Sequence, residues 1–183
     1  VTAYSCCQWP ALYFLLAYWI YIDGVDTVIR MAINFGITIG FSSNDLLIAL
    51  LVTQFVSFPG TILINFIANY RSSEFSIIIC LIVYILITLI ADNLNTIFEF
   101  YLIAVLIGLV QGGIQALSRS YYARIIPKDR SSEYFGVYNM LGKFAALLGP
   151  LLVGFITYYT NDSRLGMLSI SLFFIVGILF FKK

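Results

Sequence analysis

Apolar residues run along the chain in long continuous blocks, and short polar clusters separate them. A helix that crosses a bilayer needs about 20 mostly apolar residues. Six stretches meet or approach that length: residues 11–41, 46–68, 75–91, 96–117, 134–159 and 165–181. The first is interrupted by polar residues in its middle, and the third carries no charge. The separators are Ser42-Ser43-Asn44-Asp45, Arg71-Ser72-Ser73-Glu74, Asp92-Asn93, Pro127-Lys128-Asp129-Arg130 and Asn161-Asp162, several of which end in a residue that caps a helix N-terminus. The blocks do not alternate polar with apolar, which excludes a β-barrel. The pattern predicts an all-α, polytopic membrane protein: one domain over residues 1–183, built as a bundle of six transmembrane helices.

Charge placement orients that bundle. With six spans, the second and fourth connections share a side with both chain ends. That side holds Arg71, Arg119, Arg124, Lys128, Arg130, Lys182 and Lys183, seven of the ten basic residues. The other side holds Arg164, while Arg30 and Lys143 fall inside spans. Cytoplasmic connections collect Lys and Arg, so both termini are expected in the cytoplasm.

Composition narrows the function classes. The chain is 61% hydrophobic and 10% charged, against about 45–50% and about 25% in soluble domains. Disordered, collagenous and nucleic-acid-binding chains are excluded, and a net charge of +1 predicts no polyanionic partner. The lipid bilayer is the expected surrounding. There is no histidine, which removes histidine metal sites and histidine-based nucleophilic catalysis. Cys6, Cys7 and Cys80 form no disulfide or zinc framework; they read as apolar cysteines, with lipidation of Cys6 or Cys7 as the alternative. Phosphate-loop, nucleophile-elbow and zinc-protease motifs are absent. Neither a metal, a cofactor nor an enzymatic activity is expected. The chain begins at Val1 without a basic region ahead of its first apolar run, so it reads as a fragment or the downstream part of a larger gene, not as a secretory signal.

Polar side chains inside spans are costly and need a reason. In the first span, Asp23, Asp26, Thr27, Arg30 and Asn34 share an arc of about 100° at 100° per residue. That face belongs against a partner helix, a second domain or water. Asp26 and Arg30, four apart, can pair along the helix. A self-satisfied ion pair that locks packing is one reading. A polar pathway is the other, because Asp23 is left without a partner. Gly24 beside them would allow a bend. In the fourth span, Gln111 and Gln115 lie one turn apart, with Gly108, Gly112-Gly113 and Ser118 nearby; they either hold a solute or bridge to a neighbouring helix. In the fifth, Asn139 and Lys143 lie one turn apart. Lys143 is too deep to snorkel easily, and pairs with Asp23 or Asp26 or meets an anionic solute. Gly149-Pro150 and Gly154 predict a kink and a close helix contact.

The residues from Gly108 to Pro127, GLVQGGIQALSRSYYARIIP, and from Glu133 to Gly154, EYFGVYNMLGKFAALLGPLLVG, resemble the major facilitator superfamily. More narrowly they resemble the branch of autophagy-related vacuolar effluxers and their bacterial counterparts. Phe14 to Ala32, FLLAYWIYIDGVDTVIRMA, is similar to the seventh helix of that branch. The match covers nearly all of this chain but only the C-terminal six helices of a twelve-helix fold. The resemblance implies that spans one and four line a central cavity and that spans two and five form the contact between halves. Asp23, Asp26, Arg30, Asn34, Gln111 and Gln115 would line a substrate or proton pathway, with Asp23 or Asp26 taking up a proton. Asn139 and Lys143 would lie at the half–half contact or in an internal ion pair. A gating loop of the Gly-x-x-x-Asp-Arg-x-Gly type would fall at Asn65, Asn69 and Arg71, where both its Gly and its Asp are Asn.

The resemblance implies secondary transport of a small solute, with efflux of amino-acid-like solutes the branch's suggestion. It implies a bacterial inner membrane ahead of a vacuolar one. Alternating access needs two halves, so the expected partner is an N-terminal six-helix half or a second copy. The alternative is a non-transporting interaction subunit or the inactive remnant of a split gene.

Overall fold

A computed structural model describes residues 2–92, 94 and 96–181, with side chains from Ala11 onward, Ser163 excepted. The sequence readings that fall on Val1, Asn93, Lys182, Lys183 and the Cys6 and Cys7 side chains lie outside the described residues. Eight helices follow one another: α1 (Thr2–Ile39), α2 (Ser43–Tyr70), α3 (Ser73–Asp92), α4 (Ile97–Ile125), α5 (Ser131–Ala145), α6 (Leu148–Thr160), α7 (Ser163–Ser169) and α8 (Ser171–Phe181). A 3₁₀ turn, Lys128–Arg130, leads into α5. No strand occurs among the described residues. Six units are long and apolar enough to cross a membrane: Ala11–Ile39, Ser43–Tyr70, Ser73–Asp92, Ile97–Ile125, Lys128–Thr160 and Arg164–Phe181.

Local chemistry sets the helix ends. The Ser42 hydroxyl accepts from the Asp45 backbone N–H and donates to Asp45 Oδ2 at 2.6 Å. Thr96 and Glu99 form a reciprocal capping box. The Asp162 carboxylate accepts from the Arg164 N–H at 2.9 Å. Asn161 closes α6 in the left-handed region, at φ 55°, which asparagine tolerates better than most residues.

Two boundaries depart from the sequence reading and a third follows it. Helix α4 continues eight residues beyond Leu117, so Arg119 and Arg124 are helical and do not lie in a connection. Helix α2 runs to Tyr70, which leaves Arg71 and Ser72 as the whole connection to α3. Asn65 and Asn69, expected in a loop, therefore sit in the last turns of α2. The fifth span is broken at Ala146 and Leu147, the kink expected from Gly149-Pro150. Pro150 offers no N–H to the Ala146 carbonyl, and its ring crowds that group.

Helices α2 and α4 pack most extensively, and small residues allow their close approach. A Cβ on Gly60 would stand 2.5 Å from the Leu109 carbonyl oxygen, and one on Gly108 would stand 2.7 Å from that of Thr53. Thr53 Oγ1 bridges the pair, donating to Ala49 O at 2.9 Å and to Ala104 O at 3.2 Å. Helix α1 is the axis of the bundle and touches every other long helix. Tyr21, Val25 and Val28 on it are fully buried. Tyr21 shares a hydrogen bond of 2.7 Å with Ser118 of α4. Helix α1 runs unbroken through Gly24, which makes room for Phe174 of α8, whose Cε1 would be 2.9 Å from an added Cβ.

Burial is uneven. In the most apolar part of α1, 61% of residues are buried, against 22% in α2 and 17% in the α5–α6 span. The two most open spans carry bulky apolar side chains outward, among them Phe55, Phe58, Phe66, Phe144, Phe155 and Tyr158.

Candidate functional site

Three helices contribute rows of side chains, spaced three or four residues apart, to one open cleft of 720 Å³. Helix α1 supplies Tyr18, Ile22 and Asp26. Helix α4 supplies Gly112, Gln115, Ala116 and Arg119, and α5 supplies Tyr138, Asn139, Gly142 and Lys143. The spacing works because residues four apart stack on one helix face. Gln115, Arg119, Asn139 and Lys143 are exposed to the cleft and Asp26 is half-buried. Arg119 Nη2 donates to Asn139 Oδ1 at 3.4 Å, tying α4 to α5. The Tyr18 and Tyr138 rings stack at 4.1 Å between centroids and brace the wall between α1 and α5. The cleft holds one acid and two bases beside two amides. It can therefore receive a solute that carries both signs of charge, or a single anionic group.

A second cleft of 370 Å³ opens farther along α1. Met31, Asn34, Phe35 and Thr38 face Pro150, Val153, Gly154, Thr157 and Tyr158 of α6, with Met167 of α7. Between the two clefts lies the tight contact of α1 with the start of α6. There Gly149 sits on Thr27, and a Cβ at Gly149 would overlap Thr27 Oγ1 and stand 2.7 Å from Thr27 Cβ. Gly154, by contrast, meets nothing within 4 Å, so the close contact expected there does not form among the described residues. Asp23 is buried at this crossing, at 1% exposure. Neither of its carboxylate oxygens makes a hydrogen bond among the described residues.

The predicted polar arc of α1 thus divides. Asp26 enters the first cleft, Asn34 the second, and Asp23 with Thr27 the contact between them. Arg30 is exposed on the same helix and lines neither cleft. Two expected ion pairs are absent among the described residues. No N–O distance within 4.0 Å joins Asp26 to Arg30, or Lys143 to either aspartate. Arg30 is exposed, within electrostatic reach of Asp26 but not in contact with it, and Lys143 shares the first cleft with Asp26 without touching it. Gln115 joins the first cleft. Gln111 is half-buried outside it, with its Oε1 buried and without a hydrogen-bond partner among the described residues. Asn65 is half-buried and Asn69 exposed on α2, and Arg71 stands over the Phe75 ring at 5.5 Å. None of these three lines either cleft. Sequence reasoning missed Arg119, Tyr18 and Tyr138 as cleft residues. The signal was present: Arg119 continues the Gln111–Gln115 spacing, and Tyr18 precedes Asp26 by two turns.

Among the described residues no cluster of three or more acidic or cysteine side chains could hold a metal ion.

Comparison with known proteins places these features. A family model described as vacuole effluxer Atg22 like matches residues 9–182. An uncharacterised MFS-type transporter of Bacillus subtilis (strain 168), YxiO, is 40% identical over 172 residues, covering 93% of this chain and 40% of that protein. Autophagy-related protein 22 of the yeast Vanderwaltozyma polyspora is 43% identical over 67 residues, 37% of this chain and 13% of that protein. Autophagy-related protein 22-1 of Penicillium rubens is 29% identical over 168 residues, 82% of this chain and 28% of that protein. The chain spans two fifths or less of the length of these curated relatives. Six membrane-length helices and this likeness make it a multi-pass membrane protein that resembles one half of a major facilitator fold. Over nearly its whole length, the chain belongs to the Atg22-like vacuole effluxer family.

Proposed function

We propose that the chain is the C-terminal six-helix half of a major facilitator type secondary carrier, moving a small amino-acid-like solute in the direction of efflux. The observation that carries this reading is the first cleft. Asp26, Arg119 and Lys143, with two amides, stand open on one cleft between the spans. One charge at a helix centre costs about 2.5–3.5 kcal/mol on insertion scales, so a face that carries several needs water and protein over it. A second six-helix half, whether an N-terminal half or a second copy, provides that cover. The low burial of α2 and the α5–α6 span supports their use as the contact. In this arrangement Lys143 and Arg119 receive the carboxylate of the solute, Asp26 receives its ammonium, and Gln115 and Asn139 supply neutral hydrogen bonds. Both termini lie in the cytoplasm, in a bacterial inner membrane.

A second reading is a non-transporting interaction subunit or an inactive remnant. Asn65 and Asn69 favour it, standing where the gating pattern has Gly and Asp.

Reconstitution decides between them. The chain is co-expressed with a six-helix N-terminal half, and uptake of labelled zwitterionic, cationic and anionic solutes into proteoliposomes is measured. Saturable flux of a zwitterion by the complex, with none by the monomeric chain, is expected. Flux by the lone monomer would falsify the half-carrier reading, and a stable complex inert to every solute would support the subunit.

A further inference from the structure

We infer that a row of uncharged polar side chains on α2 is a fourth wall of the first cleft, where Thr61 accepts a hydrogen bond from an uncharged donor on the solute. The contact with the solute rests on the carrier reading; the wall does not.

Between Leu46 and Ala68, α2 carries Thr53, Gln54, Ser57, Thr61 and Asn65. Thr53 bridges to α4. The other four are spaced three, four and four residues apart, so at 100° per residue they share an arc of about 80°. The exposed Phe55, Ile62 and Phe66 fall about 140–180° from Ser57 on the same wheel. Gln54 is exposed, and Ser57, Thr61 and Asn65 are half-buried. Hydrocarbon offers amides and hydroxyls no partner, so this row does not belong against lipid tails.

The row meets the first cleft at Gly112. Gly112 and Ala116 line that cleft on α4. A Cβ on Gly112 would overlap Thr61 Oγ1 and stand 2.6 Å from Ser57 Oγ. Two hydroxyls of α2 therefore press against bare backbone at the edge of the cleft, where a larger residue would push them off. The two helices advance together: Thr53 bonds to Ala104 O, Gly108 sits on Val56, and Gly113 sits on Ile64. Asn65, one turn beyond Thr61, thus falls level with Ala116, one turn beyond Gly112.

This wall differs in chemistry from the other three. Asp26, Arg119 and Lys143 supply charge on α1, α4 and α5, and the row on α2 supplies none. Thr61 Oγ1 already donates its hydrogen to Ser57 O at 2.7 Å, so it presents only lone pairs to a ligand. A solute held by its charged ends on the other walls meets an acceptor here. An amide N–H or a hydroxyl on its side chain satisfies that acceptor, whereas a hydrocarbon side chain leaves it unpaired. The inferred solute is therefore a zwitterion whose side chain carries an uncharged hydrogen-bond donor.

Cysteine labelling tests the wall. The full chain, with Cys6, Cys7 and Cys80 replaced by Ala, is assembled in lipid nanodiscs with an N-terminal half or with itself. Single cysteines are compared in neighbouring pairs, Thr61→Cys with Ile62→Cys and Asn65→Cys with Phe66→Cys, and Gln115→Cys marks the first cleft. A charged methanethiosulfonate reacts with the thiolate, which needs contact with water. Thr61→Cys is expected to react at least about tenfold faster than Ile62→Cys, with the same order in the second pair, and Gln115→Cys to react as well. Equal rates in the first pair overturn the inference, as does reaction at residue 61 with Gln115→Cys silent. If Thr61→Cys fails to fold, the second pair decides alone.

Binding tests the contact. Labelled glutamine and norleucine, similar in length but with and without a side-chain donor, are the probes. Thr61→Val is expected to weaken glutamine binding about tenfold and to leave norleucine binding unchanged. An equal effect on both overturns the role of Thr61, as does tighter binding of norleucine than of glutamine by the unaltered assembly. Failure of the unaltered assembly to bind any zwitterion removes the carrier reading and the solute contact with it, and the labelling still decides the wall. Binding with no difference in labelling removes the wall and leaves the carrier.

Discussion

Lys143 and Arg119 end up on one cleft although their sequence contexts differ, one deep in an apolar run and the other beyond the end of one. Neither is neutralised by an ion pair with an aspartate among the described residues, so both remain free to meet an anionic group. Replacing Lys143 by Ala removes an exposed side chain. It should leave thermal stability within about 0.5 kcal/mol while weakening solute binding by the carrier about tenfold or more; scintillation proximity binding measures the second. Asn139→Ala should cost less, because it removes one long hydrogen bond from Arg119 and no charge. Tyr21 is the opposite case. Its hydroxyl is buried against Ser118, which keeps its own bond to Ile114 O at 2.6 Å. Tyr21→Phe should therefore lower stability by about 1 kcal/mol, read as a shift of the detergent unfolding midpoint, with no change in solute affinity. Types and spacings of these residues are legible in the chain. Which of them face each other is not, because that depends on the rotation of three helices about their axes.

Helix lengths follow from local chemistry only in part. The caps at Ser42, Thr96 and Asp162 are written in the separators, and they form. The end of α4 is not written there, because Ser118, Arg119, Ser120 and Arg124 look like a connection. They stay helical because Leu117, Ser118 and Tyr122 are buried among other helices, and Tyr122 stacks on Tyr138 at 5.1 Å. Tertiary burial overrides a polar composition. The α2–α4 pairing rests on backbone proximity at Gly60 and Gly108. Gly60→Val would drive a branched side chain into the Leu109 main chain. It should cost at least about 1–3 kcal/mol, seen as lower yield and a lower melting temperature in detergent. The break in the fifth span was readable from Pro150, and its placement over Thr27 was not. Pro150→Ala should restore the missing ladder bond and join α5 to α6, which exchange protection at residues 146–151 would report.

At the scale of the molecule, two surfaces of different character stand open. Large apolar side chains cover the outside of α2 and α6, the spans proposed to meet the other half, while the charged cleft opens between α1, α4 and α5. Both openings argue for a covering half, and a mass measurement checks it. Light scattering corrected for detergent should show a one-to-one complex with an N-terminal half, or a dimer; a well-behaved monomer under every condition would count against cover by protein. The sequence by itself determined the class of this protein. Continuous apolar blocks of spanning length, polar separators and scarce charge permit only a helical membrane bundle, since lipid forces every backbone group to be satisfied within its own helix. The tertiary structure alone decided the site. A polar arc on one helix became three separate environments, a cleft, a buried crossing and a second cleft, because neighbouring helices cover each part differently and a broken helix ends against one of them.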